Sequence, residues 1–142
     1  MVQPQTISIA QVLREFATSV IRESPPSALS RTASGILSTL ERHGPQRITA
    51  LADREFVTQP AMTGLVQRLE STGLVSREAD PVDARATLIT ITQTGVDAMY
   101  ERRHVHDKAI AARLATLSPT DREAIAAAAT AIINLTENNG NR

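Results

Sequence analysis

Two short stretches of the chain carry side chains suited to reading a polar, charged surface. The first is Thr58-Gln59-Pro60-Ala61-Met62-Thr63, a run of small or polar residues without a wall of charge. At the start of a helix such a run suits a major groove, where glutamine pairs with adenine and threonine meets a base edge or a thymine methyl. Met62 is expected to turn the other way, into a core. The free amides of a helix start also suit a phosphate. The second stretch is Asp83-Ala84-Arg85, on a polar connection that no core needs. An arginine there can enter a narrow minor groove, where negative potential is concentrated, and Asp83 can orient its guanidinium by a charge-assisted hydrogen bond. Each stretch also has a plainer reading. The helix start can be an ordinary capped helix with a solvated polar face, and Asp80 and Asp83 can simply cap turns beside a solvated Arg85.

Other chemistries find less footing. His104 and His106, with Asp107 beside them, lie two apart on a predicted helix and so point about 200° apart, a poor arrangement for holding one ion. They read as solvated or interface histidines, and His43 as a favourable charge near a helix end. The chain has no cysteine, which excludes disulfides, zinc fingers, iron–sulfur clusters and a thiol-oxidation switch. No nucleophile elbow, phosphate loop or paired-histidine motif frames the serines, histidines and acids that are present. The expectation is a protein that is not an enzyme and holds neither metal nor cofactor.

The chain has 142 residues, 42% hydrophobic and 21% charged, with 15 basic and 15 acidic side chains. That is enough chain for one ordinary domain with a real core. No apolar run approaches the roughly 20 residues that span a bilayer, and Met1 to Ile9 lacks the order of a signal peptide. A soluble cytoplasmic protein with no membrane partner is expected. With a net charge of zero, binding to nucleic acid must rest on local placement of charge. Only Phe16, Phe56 and Tyr100 are aromatic, and a core of Leu, Ile, Val and Ala fits packed helices better than a β-sandwich.

Periodicity supplies the elements that must position these stretches. Ile9, Val12, Leu13, Phe16, Val20 and Ile21 mark one face of a helix from about Ser8 to Arg22, which Ser24-Pro25-Pro26-Ser27 breaks. Leu29, Ala33, Ile36, Leu37 and Leu40 mark a second, ending before Gly44-Pro45. Thr49 is expected to cap a short helix through Arg54. Thr58 then caps one through about Thr72, with Pro60 in its first turn and Gly73 at its end. Leu74–Glu78 and Thr87–Ile91 read as two strands joined by a long polar tip. Thr92 caps a long helix from Gln93 to Ala115. Ser118-Pro119-Thr120-Asp121 opens the last one, to about Thr136, and Asn138–Arg142 reads as a flexible tail.

Short helix, tight turn, second helix and hairpin is the order of a winged helix-turn-helix. Leu51-Ala52, Val57-Thr58, Met62-Thr63, Leu65-Val66, Arg68-Leu69-Glu70, Gly73-Leu74-Val75, Arg77, Asp80-Pro81, Asp83, Arg85 and Thr92 with Gly95 resemble the MarR family of winged-helix transcription regulators. The resemblance covers about Ile48 to Gly95 without gaps, and the Asp-x-x-Asp-x-Arg wing is its most specific part. It implies a mainly α fold with a small β-hairpin wing, in a single domain over 1–142. Residues 6–30 and 93–137 would supply dimerisation helices and 31–92 the winged helix-turn-helix. It also implies an obligate homodimer on double-stranded DNA, commonly a repressor released by a small aromatic or phenolic effector. The DNA-binding candidates are Thr58, Gln59, Pro60, Thr63 and Arg68 on the reading helix, with Asp83 and Arg85 on the wing.

Two departures qualify that expectation. Gly64 stands where the family often has a basic or polar residue. From Arg47 to Thr92 there are five arginines (47, 54, 68, 77, 85) against six acids (53, 55, 70, 78, 80, 83), a net of −1, so a phosphate-binding surface must segregate its charges. The competing reading of the whole chain is a winged-helix protein–protein module in which Arg85 is incidental. A ligand site among Leu13, Phe16, Leu37 and Leu40 would compete with their use as simple core.

Overall fold

The computed structural model describes residues 8–26 and 29–137. Its elements are α1 (Ile9–Arg22), α2 (Arg31–His43), β1 (Gln46–Arg47), α3 (Ile48–Arg54), α4 (Gln59–Ser71), β2 (Val75–Ala79), β3 (Thr87–Ile91), α5 (Gln93–Ala115) and α6 (Pro119–Glu137). The fold is mainly helical with one small antiparallel sheet, the winged helix-turn-helix expected. The polar tail at 138–142 lies outside the described residues, as do the two residues at 27–28.

Capping chemistry sets most of the helix starts. Ser8, Ser30 and Thr58 each accept a hydrogen bond from the backbone amide three residues on, at Gln11, Ala33 and Ala61. Thr92 Oγ1 does the same for Gly95 N at 3.1 Å. Ser118 caps Asp121 N at 3.1 Å while donating its own hydroxyl proton to the Asp121 carboxylate at 2.7 Å. Each cap satisfies an amide that the helix leaves without a partner. Two expectations shift here. Leu29 precedes α2, which begins beyond the Ser30 cap. Thr49 lies inside α3, whose cap position is Arg47 with no side-chain bond.

The chain forms two compact units. One is Pro25–Val105; the other comprises residues 8–24 and 106–137. In Pro25–Val105 the sheet runs β1-β3-β2, with β3 central. The pairs Gln46↔Ile89, Arg77↔Ile89 and Val75↔Ile91 fix its register. β1 was not foreseen: its two residues carry no periodicity, and its partner lies some forty positions away. Side chains alternate along a strand, so Ile89 points into the core that α2, α3 and α4 close over. Ile36, Leu37, Leu40, Leu51, Met62, Val66 and Ile89 are the largest fully buried side chains. Leu37 and Leu40 are therefore core.

Where the wing meets α5, the backbones come close. Thr92 donates its amide to Leu74 O at 3.1 Å and its hydroxyl to Gly73 O at 2.6 Å. Gly95 is buried against the same carbonyl of Leu74. Arg103 of α5 pairs with Glu41 of α2, and that guanidinium holds the Glu41 carboxyl below its ordinary range.

In the other unit, α1 meets residues 106–115 of α5 and α6. Arg113 joins Ser19 Oγ at 3.1 Å and Glu23 at 3.6 Å, with its guanidinium 5.7 Å over the Phe16 ring. No described residue of α1 or α6 is buried. Ile9, Val12, Phe16 and Ile21 on α1, and Ile125, Ile132, Ile133 and Leu135 on α6, all stand exposed. No helix among the described residues is long and apolar enough to cross a membrane.

Candidate nucleic-acid interface

α3, a four-residue turn and α4 make the helix-turn-helix. Met62, Val66 and Leu69 recur along one side of α4 and are buried, which leaves Gln59, Pro60, Ala61, Gln67 and Arg68 exposed and Thr63 half-buried on the rest of the helix. Met62 thus faces the core, as its position among polar neighbours implied. The Thr58 hydroxyl is committed to Ala61 N at 3.4 Å and the Thr63 hydroxyl donates to Gln59 O at 2.9 Å. Gln59, Gln67 and Arg68 are the polar residues of this face whose side chains have no protein hydrogen bond or ion pair among the described residues. Gly64 sits between them in open space: a Cβ there would find only Arg68 Nη1, at 3.9 Å. Nothing in the fold requires glycine at this position.

The wing carries the second group. Asp83 Oδ1 accepts from the backbone amide of Arg85 at 3.1 Å, and Ala86 N donates to Asp83 O at 2.8 Å. The anticipated bond from Asp83 to the Arg85 guanidinium gives way to this tighter local turn. An aspartate reaches the amide two residues on without ordering a long side chain, whereas the guanidinium bond would cost that entropy. Asp83 therefore shapes the tip, and the exposed Arg85 side chain is without an ion partner among the described residues.

Ion pairs take up part of this charge and leave the net of −1 as it was. Arg77 Nε holds Glu70 at 2.9 Å, and Arg47 holds Asp80 through Nε at 3.0 Å and Nη2 at 2.5 Å. Two arginines and two acids cancel, leaving Arg54, Arg68 and Arg85, and Asp53, Glu55, Glu78 and Asp83, outside any ion pair among the described residues. Arg47 was not singled out in the sequence because β1, which positions it, was not. It ties the edge strand to the first residue of the wing tip across 33 positions.

Asp80 is buried at that junction. The Val82 amide, at 2.9 Å, and then the Arg47 guanidinium hold its carboxyl below the ordinary aspartate range. Because the folded-state value lies below the unfolded one, ionised Asp80 stabilises the fold above the usual aspartate pKa of about 3.9. That contribution is lost as pH falls through the folded value. An Asp80→Asn variant should be less stable than the parent at neutral pH and converge on it as the pH drops below about 4. Unfolding curves of both proteins across that range test this, and a gap that stays constant would refute it.

Comparison with known proteins places this geometry. The MarR family model matches residues 29–87, from two residues before α2 to the first residue of β3. The chain is 30% identical over 137 residues to an HTH-type transcriptional regulator of Mycobacterium bovis, covering 92% of this chain and 96% of that one. The crystal structure of the transcriptional regulator Tm0710 from Thermotoga maritima shares its fold, with a TM-score of 0.78 at 24% identity over 94% of this chain and 96% of that chain. So does a mutant of Staphylococcus aureus MepR bound to an oligodeoxyribonucleotide, with a TM-score of 0.69 at 18% identity, covering 91% and 98%. A helix-turn-helix with an exposed polar face on α4, a wing ending in an unpaired arginine, and a relative matched nearly end to end lead to one assignment: the chain belongs to the MarR family and is an HTH-type transcriptional regulator, not an enzyme.

Proposed function

We propose that the protein is a homodimeric repressor that binds a pseudo-palindromic operator. α4 would enter the major groove of each half-site with Thr58, Gln59, Pro60, Thr63 and Arg68 toward the DNA. Gln59 offers the amide that reads adenine, and Arg68 a cation for a base edge or a phosphate. Arg85 would enter the adjacent minor groove from a tip whose shape Asp83 sets. The observation that carries this reading is the pairing of a core-locked helix face with two cations left out of the protein's own ion pairs, Arg68 and Arg85.

The dimer is argued from the unit of residues 8–24 and 106–137. A 14-residue helix and a 19-residue helix without a buried side chain leave more apolar surface in water than a monomer normally tolerates. A second copy covers it with the fewest assumptions, and two-fold symmetry then sets half-sites about one helical turn apart, roughly 10 bp. A dimer seated on promoter DNA blocks other proteins from it, the simplest route to repression.

Release by ligand has a candidate place in the same unit. A cavity of about 700 Å³ is lined by Val12, Leu13, Phe16, Ile110, Arg113 and Ile132 among others, within the size range of small-molecule sites. Its walls are apolar, and Arg113 is the charged side chain in them, chemistry that suits an aromatic molecule with an anionic or phenolic end. A molecule held there would act on the helices that pair the subunits and so on the spacing of the two α4 helices.

Selection from a random 30-bp duplex pool at moderate salt tests the reading. The expected product is an enriched sequence with two-fold symmetry, bound at one dimer per site and resisting salt that removes nonspecific binding. An unenriched pool with protein that remains monomeric would sink it, and would favour the protein–protein module.

A further inference from the structure

Three large apolar side chains stand exposed among the described residues of Pro25–Val105: Phe56, Val82 and Tyr100. Tyr100 stacks on His104, ring centroids 6.5 Å apart. The other two touch almost nothing, Phe56 being 95% and Val82 92% exposed. Val82 lies on the wing tip placed against DNA above, and Phe56 in the turn that leads into α4.

Phe56 is the more informative of the pair because its backbone is unusual as well. Its φ is 53°, the one positive φ on a non-glycine residue among the described residues. Glycine adopts that conformation freely, and a bulky side chain does so at a cost. The turn imposes it from both sides. Glu55 N donates to Leu51 O at 3.0 Å, Phe56 N to Asp53 O at 3.4 Å and Val57 N to Ala52 O at 3.1 Å. Leu51 and Ala52 are buried, and Val57 packs on the core. The fold therefore requires a left-handed residue at 56 but makes no use of an aromatic ring, and local preference argues against one. A contact outside the chain accounts for what neither packing nor conformation does. The ring is two residues from the Thr58 cap. At 3.8 Å between consecutive Cα atoms the residue is within about 8 Å of Thr58, beside the start of the helix that carries Gln59 and Pro60.

We infer that Phe56 is a further DNA-contacting residue, its ring resting on a thymine methyl group in the major groove at the edge of the bases that α4 reads. This rests on α4 being the DNA-reading helix. A phenyl ring against a thymine methyl is an apolar contact the major groove offers and the minor groove does not. It gives the turn a preference for thymine without adding charge to a surface that has few free cations.

The test uses the duplex that the full-length protein selects from the random pool. Phe56→Gly and Phe56→Asn both suit a positive φ and remove the ring. Both are expected to keep the dimer, with an unfolding midpoint unchanged or raised, while affinity for the selected duplex falls on the order of tenfold. Replacing thymines by uracil one at a time then locates the contact. One substitution per half-site should weaken the parent about fourfold, the worth of one buried methyl, and leave both variants unaffected. Variants that bind within twofold of the parent would overturn the inference and leave the reading of α4 standing. Weakened variants that still sense every thymine methyl would overturn the thymine contact. A parent that selects no sequence would overturn the reading of α4 together with this inference.

Discussion

Replacing Gly95 with alanine should destabilise the protein by about 3 kcal/mol, near the top of the range for forcing extra volume into a packed site. A Cβ at this position would fall well inside van der Waals contact with Leu74 O and 2.8 Å from Ile91 Cγ1. The first of these is backbone and cannot swing aside. It is also engaged, since Leu74 O accepts from Thr92 N at 3.1 Å. To admit the methyl group the first turn of α5 must lift away from the start of β2, stretching that bond and the one from Thr92 Oγ1 to Gly73 O. For a chain of this size the loss corresponds to a fall of roughly 10 °C in the midpoint of thermal unfolding. Gly64→Ala is the matched control. It makes the same chemical change in another helix, but into open space, so it should gain up to about 1 kcal/mol from helix propensity. Circular dichroism melts of the two variants should move in opposite directions, and a Gly95→Ala protein as stable as the parent would disprove the close approach.

Arg85→Ala should weaken binding to the selected duplex by about 1–3 kcal/mol, roughly 5- to 150-fold, with no change in the melting curve. The stability half of that statement follows from the wing's construction. Asp83 secures the turn through the Arg85 amide, which alanine also possesses, and the guanidinium is in no ion pair of the described residues. The affinity half follows from electrostatics, because a narrow minor groove concentrates negative potential and an inserted arginine carries its charge into it. Two further signatures separate groove insertion from a general attraction. The slope of log affinity against log salt should fall by about one phosphate's worth. Arg85→Lys should restore that slope while recovering only part of the affinity, since lysine carries the charge without the planar fork. Unchanged affinity in Arg85→Ala would return the wing to the role of a solvated loop and strengthen the case for a protein–protein module.

What was legible in the sequence was whatever is decided over a few neighbouring residues. Thr58, Thr92 and Ser118 cap the helices they were expected to cap, because a hydroxyl three residues from a free amide acts locally. β3 runs from Thr87 to Ile91 as read, its β-branched residues having little alternative. Features decided at a distance escaped. β1 exists only because β3 offers it an edge, and with it went Arg47 and its bond to Asp80. Leu13, Phe16, Leu37 and Leu40 shared one description as apolar helix faces, yet the first two line a cavity and the last two are core. Periodicity says which residues share a face and nothing about what that face meets. The left-handed turn at Phe56 had no signal either, since glycine, the usual mark of that conformation, is absent there.

The register of the wing has a consequence for how such a protein can diverge. Val75 and Ile89 are buried, so a slip of one residue in β2 or β3 would turn core side chains outward and is strongly disfavoured. The strands are thus held at their root, and Arg47 holds Asp80 where they end. Beyond that point, Pro81 to Arg85 lie exposed, with the turn bonds as their one tie to the rest. Residues can be added, removed or exchanged there without disturbing a single core contact. Packing therefore sets no limit on the length or chemistry of the tip, and a descendant could change there while keeping its fold.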